Sequence, residues 1–284
     1  MNLKIGLTGF NGWIGKNTRK AFKNTSCEIY NLDHISRGFK KKNQNNIIDL
    51  DWIFHFGAKT DIIKSFNDPF ETYKNNILST LLITEYAKKT KSKLLFLSSY
   101  VYGEPEYFPI DEEHPIKPNN PYMDSKWISE QACKNISKQL GISLTIFRAF
   151  NIYGPGQKHG RLISDLCSNI KKNCDLELND PNPKRTYLYI KDFVDILYKV
   201  LDKGKESRGV FNLGGEESYS NLEVAEKLIY NSGKNLKINI KSKPRKNDIS
   251  NIIIDINKVK KHFNWEPKFS LDMGIIDILS GTKI

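Results

Sequence analysis

Three glycines stand between a short apolar run and a helical pattern near the start of the chain. Leu3-Lys4-Ile5-Gly6-Leu7 reads as a short buried strand and the segment from Trp13 to Phe22 as a helix. Gly9, Gly12 and Gly15 fall at the junction. Glycine tolerates the dihedrals of a tight turn and lets the backbone approach a ligand closely. The helix behind it turns free N–H groups and a positive dipole end toward a pyrophosphate. A G-x-x-G-x-x-G spacing in that strand–turn–helix setting points to the start of a βαβ unit and a dinucleotide site, the alternative being a strand–helix turn that is merely glycine-rich. The residues concerned are Gly9, Phe10, Asn11, Gly12, Trp13, Ile14 and Gly15. Cys27–Leu32 reads as a second strand running into Asp33. An acidic residue about 20 positions past the glycines can accept hydrogen bonds from ribose hydroxyls, which favours NAD. Asp33 could instead cap the following turn. Arg37 could hold a 2′-phosphate, which leaves NADP possible.

A second motif lies some way along the chain. Tyr122-Met123-Asp124-Ser125-Lys126 has the spacing Tyr-x-x-x-Lys, which puts both side chains on one helix face, a turn apart. A free tyrosine titrates near pH 10, too high for a base at neutral pH. A lysine charge beside it stabilises the phenolate and brings it toward the working range. Pro118-Asn119-Asn120-Pro121 would start that helix, and Ser125 to Leu140 would continue it. Lys93-Leu94-Leu95-Phe96-Leu97 reads as a buried strand, and Ser98-Ser99-Tyr100 follows its C-terminal end. In open parallel sheets ligands bind at that end. Ser98 is therefore the third candidate, with Ser99 its rival. Ser98, Tyr122 and Lys126 together would move a proton at an alcohol or ketone while the dinucleotide exchanges hydride.

Strand and helix signals alternate up to about residue 150, the pattern of a doubly wound parallel sheet. The expected class is α/β: a Rossmann-type doubly wound parallel sheet with a smaller C-terminal substrate lobe. Residues 1–150 would bind NAD(P), with 185–215 returning to them, and 151–284 would be mainly the substrate lobe. In that lobe Leu162–Lys172 and Leu222–Tyr230 read as short helices, and Leu236–Ile240 and Ile252–Ile254 as strand-like pieces. Lys40–Asn46 reads as a solvated loop.

A net charge of +12 raises nucleic acid as a partner. The lysines are scattered and no recognised nucleic-acid module surrounds them, so that class is set aside. The four cysteines show neither C-x-x-C nor zinc spacing and are expected to be reduced thiols, with Cys167 and Cys174 sharing a helix face. The five histidines are dispersed, and no metal site follows from them. No apolar run approaches the roughly 20 residues that span a bilayer. The chain also enters its first strand almost at once, so a cytoplasmic enzyme is expected.

Many blocks of the chain, in order, resemble the extended short-chain dehydrogenase/reductases of the nucleotide-sugar epimerase/dehydratase/reductase group. They include Thr8–Gly15, His55-Phe56-Gly57-Ala58, Asn75-Asn76-Ile77, Ser98–Gly103 and Tyr122–Lys126. Further on come Arg148–Gly156, Arg185–Asp192, Phe211–Gly215, Pro244–Asp248 and Trp265-Glu266-Pro267. The resemblance implies that Tyr122 is the acid/base, Lys126 its partner and Ser98 the hydroxyl on the reacting oxygen. It places Asp49 and Leu50 beside the adenine, Phe56, Gly57 and Ala58 along the cofactor, and Asn76 near the catalytic centre. Asn151, Arg161, Arg185 and Arg245 fall where the family grips a nucleotide diphosphate, a task suited to arginine forks. One departure matters. Dehydratases of the group carry an Asp-Glu pair after the serine position, and here Ser99 and Tyr100 stand there. What remains is reduction of a 4-keto sugar nucleotide, which leads slightly, or redox-neutral C4 epimerisation with retained NAD. A homodimer through the Tyr122 helix and the helix around Leu78–Tyr86 is also implied. A non-catalytic dinucleotide-binding sensor or scaffold is the reading from another class.

Overall fold

The computed structural model describes residues 2–38, 48–243 and 248–281. The chain begins with β1 (Leu3–Thr8), α1 (Trp13–Phe22), β2 (Cys27–Asn31), the short α2 (Asp33–Ser36) and β3 (Trp52–His55). Then follow α3 (Ile62–Asn67), α4 (Pro69–Thr90), β4 (Lys93–Ser99), α5 (Pro121–Leu140) and β5 (Leu144–Ala149). The remainder contains β6 (Asn151–Tyr153), α6 (Leu162–Lys171), β7 (Leu176–Leu178), β8 (Lys184–Tyr189), α7 (Ile190–Lys203) and β9 (Gly209–Leu213). It ends with β10 (Ser218–Ser220), α8 (Asn221–Ser232), β11 (Ile238–Ile240), α9 (Asn257–Phe263) and α10 (Leu271–Leu279).

The main sheet has the order β2-β1-β3-β4-β5-β9. From β2 to β5 every neighbouring pair is parallel. The order reverses at β1, as in a doubly wound Rossmann sheet, and the C-terminal strand ends on either side of such a reversal are where ligands bind. The centre of this sheet is buried: all four residues of β3 and Leu94 to Ser98 of β4 are inaccessible or nearly so. Leu32, Leu50, Ile53, Ile83, Ala87, Leu94 and Cys133 form one core cluster here. Continuous apolar strands of this kind are what a parallel sheet covered on both faces requires.

The chain divides into two compact units. One contains Met1–Gly103, Ile116–Ala149 and Tyr198–Phe211; the other contains Glu104–Pro115, Phe150–Leu197 and Asn212–Ile284. The segment returning to the first unit is held by Tyr198, which stacks on Phe22 at 4.4 Å and donates to Ala21 O at 3.0 Å.

Two expectations need correction in the second unit. Ile252–Ile254 forms no strand. Its neighbourhood exchanges partners within a few residues: Ile252 N donates to Lys184 O, whereas Ile253 O accepts from Ile110 N. Only isolated bridges result, so no ladder propagates. Cys174 does not share the helix face of Cys167. Helix α6 stops at Lys171, Asn173 adopts φ 58°, and Cys174 is exposed beyond it. The Leu236–Ile240 piece shortens to β11, which pairs parallel with β7. Lys40–Asn46 lies outside the described residues.

Candidate active site

The glycine loop is held by steric exclusion. Gly9 sits at φ 68°, a left-handed conformation that favours glycine. A methyl group on Gly15 would lie 2.2 Å from Gly9 O, and one on Gly12 would lie 3.0 Å from the same oxygen. Gly12 is the N-cap of α1. No side chain caps the helix there, and its first turn has no acidic residue. Asp33 reaches back beneath the loop, its Oδ1 accepting from Gly9 N at 2.6 Å and Phe10 N at 3.3 Å. Arg19 ties the loop from the other side, donating to Phe10 O at 3.2 Å and stacking over the Phe10 ring at 4.0 Å. Arg37 is exposed just past α2, Asp49 is exposed before β3, and Leu50 packs into the core cluster.

The block after β3 is tied to β1 by a relay of side chains. Gly57 N donates to Thr8 Oγ1 at 3.0 Å, and Thr8 Oγ1 lies 2.7 Å from His55 Nδ1. His55 Nε2 lies 3.1 Å from Thr80 Oγ1, which donates onward to Asn76 O at 2.8 Å. Because Thr80 gives its proton to Asn76, this chain of donors is satisfied by a neutral imidazole protonated at Nε2. Burial, helped by the nearby Lys126 charge, lowers the His55 pKa to about 3. Phe56 stacks on Phe54, while Gly57 and Ala58 are partly covered. The Asn76 side chain takes the Lys59 N–H at 2.8 Å and gives hydrogens to Lys59 O and Ser125 Oγ at 3.1 and 2.9 Å. It therefore ties the backbone at Lys59 to the Ser125 side chain of α5.

Helix α5 carries the tyrosine and lysine. Asn120 caps it by accepting from Met123 N at 3.0 Å, and Pro121 takes the first helical position, where a missing N–H costs nothing. Gly141 ends it in the left-handed conformation. Tyr73 of α4 donates to Asp124 at 2.6 Å, and Ser129 donates to Asn76 O at 3.2 Å, so the first turns of α5 are pinned to α4. Tyr122 is half-buried. Lys126 is 3 % exposed, with Nζ 4.1 Å from the centre of the Phe96 ring. Burial pushes the Lys126 pKa down to about 7, opposed chiefly by the negative charge on Glu130.

Ser98 ends up on the same side of β4 as Phe96, beneath α5. It is buried and donates to Glu130 Oε2 at 3.1 Å. Glu130 is itself fully buried and paired with Arg148, whose guanidinium also donates to the Tyr102 hydroxyl at 3.0 Å. Burial would lower the Arg148 pKa, but the Glu130 carboxylate overrides that and holds it raised. The structure thus joins Ser98 and Lys126 to the face of α5 that carries Tyr122, and it adds Glu130 and Arg148, which the motif reading left out. The signal for Glu130 was available: it stands four residues after Lys126, so Tyr122, Lys126 and Glu130 share one stripe. Tyr100, at a dehydratase acid position, is buried and donates to Gly103 O.

The second unit carries three of the residues expected to grip the diphosphate. Asn151 is exposed on β6 and donates to Thr186 O at 3.1 Å, and Arg161 is exposed at the N-cap of α6. Arg185 on β8 pairs with Asp248 at 2.7 Å. Arg245 lies outside the described residues. Among the described residues no group of three or more His, Cys, Asp or Glu side chains could hold a metal ion, and no helix is long and apolar enough to cross a membrane.

A parallel sheet with a glycine cradle at its reversal point and a Tyr-x-x-x-Lys helix over the next strands defines the class of extended short-chain dehydrogenase/reductases. Within it, the chain belongs to the NAD dependent epimerase/dehydratase family, whose model matches residues 5–214. It is 27% identical to UDP-glucuronic acid decarboxylase 3 of Arabidopsis thaliana, over 96% of this chain and 87% of that protein. It is 26% identical to the UDP-glucose 4-epimerase of Lactobacillus helveticus, over 94% of this chain and 92% of the relative. Among solved structures it is similar to a UDP-glucuronic acid 4-epimerase variant of Bacillus cereus in complex with NAD and a 4-deoxy-4-fluoro analogue of the UDP-sugar. That match has a TM-score of 0.87 and 26% identity over 98% of each chain.

Proposed function

We propose that this protein is a nucleotide-sugar 4-epimerase that keeps its NAD through the cycle. The observation that carries the reading is the shared face of α5: Tyr122 and Lys126 a turn apart, with Ser98 bonded to the same face from the end of β4. The relatives' activities at C4 of UDP-sugars move the lead from net 4-keto reduction, which the sequence reading put first, to epimerisation.

The residues present fit a dinucleotide. The loop folds back on itself so closely that a Cβ at Gly15 would run into Gly9 O, which keeps its backbone bare toward a ligand, and α1 begins without a side-chain cap. Asp33 is anchored through one oxygen to Gly9 and Phe10, at the place where a ribose would be read. This favours NAD, with NADP still possible through Arg37. A dinucleotide held there would supply the acceptor, and then the donor, of the hydride exchanged at the sugar carbon.

The chain's own residues handle the proton. Tyr122, as phenolate, takes the proton of the C4 hydroxyl while the hydride leaves that carbon, and it gives the same proton back when hydride returns to the other face. Lys126 supplies the charge that favours the phenolate. Its burial makes that charge stronger at close range, because little water screens it. Ser98 holds the oxygen. Asn151, Arg161, Arg185 and Arg245 would take the diphosphate. An assembly of two copies through α4 and α5 is part of this reading: Phe70 and Leu78 of α4 and Ile128 of α5 are exposed apolar side chains, and Phe70, Tyr73, Ile77 and Leu81 line a hollow there.

The deciding experiment denatures the purified protein, identifies any released dinucleotide, and follows UDP-hexoses by proton NMR. Retained NAD with inversion at C4 supports the proposal. Consumption of NADH or NADPH only with a 4-keto sugar nucleotide would replace it with the reductase. Release of carbon dioxide from UDP-glucuronic acid would replace it with a decarboxylase, because a ketone at C4 makes that sugar a β-keto acid.

A further inference from the structure

Ser98 has a single hydroxyl proton, and it is directed at Glu130 Oε2, 3.1 Å away. The acceptor is firmly held. Glu130 has no exposed surface, and Arg148 closes on it with two bonds, Nε to Oε2 at 3.2 Å and one terminal nitrogen to Oε1 at 2.7 Å. Fork-to-carboxylate pairing fixes geometry as well as charge. Arg148 is held in turn by the Tyr102 hydroxyl, and its guanidinium lies 5.1 Å from the Tyr102 ring and 5.6 Å from the Trp127 ring. The parallel register of β4 and β5 sets Ser98 beside Arg148.

We propose that Glu130, clamped by Arg148, is a positioning residue for the reaction: it holds the Ser98 hydroxyl in place and serves as the acceptor to which that hydroxyl turns whenever it is not donating to the sugar oxygen. The proposal rests on the nucleotide-sugar reading above. The hydroxyl rotor then has two settings. With its hydrogen on Glu130, the Ser98 oxygen presents lone pairs and can only accept from the substrate. With its hydrogen turned to a ketone oxygen, Ser98 donates. Glu130 keeps both Arg148 bonds in either setting, so the turn leaves no buried charge unpaired. No bond is made or broken in this step. A purely structural pair, joining β5 to α5, would serve equally well with no serine present.

A double-mutant cycle on the holoenzyme separates the two roles. C4 inversion of UDP-glucose, or of whichever UDP-hexose the wild type accepts, is measured for wild type, Glu130→Gln, Ser98→Ala and the double variant. Glu130→Gln is expected to lower kcat by about 10- to 100-fold with KM changed by no more than about two-fold. In the Ser98→Ala background the same substitution should cost less than about three-fold, because the group it acts through has gone. Equal costs in the two backgrounds overturn the proposal, as does a rise in KM with kcat intact. Glu130→Gln leaves the buried Arg148 without its anion. If that protein does not fold, Glu130→Gln with Arg148→Met takes its place in both backgrounds, and the same criterion applies. A wild type that inverts no UDP-hexose defeats the epimerase reading, and the four proteins are then compared in NADH oxidation by a 4-keto sugar nucleotide, where the same non-additivity decides on Glu130. Inactivity of the wild type in both assays removes the functional reading and this proposal together.

Discussion

The glycine cradle and the inner face of α5 serve one reaction but are built by different means. The cradle is backbone. Gly15 holds it because Gly9 O leaves no room for a methyl group, Gly9 because it sits at φ 68°, and Gly12 because it packs tightly on the same oxygen. The α5 face is made of side chains, and polar ones: Ser98, Lys126, Glu130, Arg148 and His55 are all buried around apolar strands. Such groups are costly unless paired, and here all but Lys126 have paired hydrogen bonds that settle their positions. A cradle of this kind should fail through sterics and lose ligand and stability together. The α5 face should fail through chemistry, with the fold left standing.

The largest expected effect tests the second half of that contrast. Tyr122→Phe removes one hydroxyl from a half-buried position. Turnover should fall by about three orders of magnitude, within the range for loss of a general acid–base group, while the melting temperature and bound dinucleotide stay near wild type. Progress curves and dinucleotide content after denaturation read both. Turnover close to wild type would remove Tyr122 from the chemistry and with it the contrast.

Gly15→Ala tests the cradle and should give the opposite pattern. The new methyl would meet Gly9 O at 2.2 Å, a backbone atom that cannot swing aside. The expected cost is roughly 1–3 kcal/mol of stability, as for overpacking elsewhere, together with loss of retained dinucleotide. Activity should then fall only as far as the cofactor is lost, and excess NAD should restore part of it. A stable, fully loaded variant would show that the loop can shift.

The same contrast explains what the sequence disclosed. The cradle is local. Strand, turn and helix lie within the first 22 residues, and each glycine has a conformational reason that can be argued from its neighbours. The Tyr122–Lys126 pair is also local, since one helical turn defines it. Glu130 and Arg148 are different. Their roles depend on β4 lying parallel to β5 in a register that sets Ser98 beside Arg148, and on α5 crossing above both. Helical spacing marks Glu130 as sharing the stripe but cannot say that a serine 32 residues earlier donates to it. The second unit was harder for a related reason. Its strands are of three to six residues, and the stretch at Ile252–Ile254 bridges two partners instead of pairing along one, so an apolar run there reads as a strand without being one.

The smallest effect is a pH dependence that sets the two kinds of buried base apart. Lys126 falls from 10.5 to about 7 through burial, so the unfolded chain binds that proton more tightly than the folded one. Stability is then lost as pH falls from about 10.5 to about 7, and the loss is complete below that. His55 falls from 6.5 to about 3, again chiefly through burial, and its loss of stability begins only below pH 6.5. Lys126→Met should remove the first effect and leave the second. Cofactor-free Lys126→Met should therefore melt a few degrees above the wild type at pH 7, although it turns over poorly. The gap should narrow toward pH 10, and both proteins should lose stability in parallel between pH 6 and pH 4. Calorimetry across that range reads all three features. A gap that stays constant with pH would mean that the folded protein holds the Lys126 proton as readily as water does, and the α5 face would then owe its order to packing alone, as the cradle does.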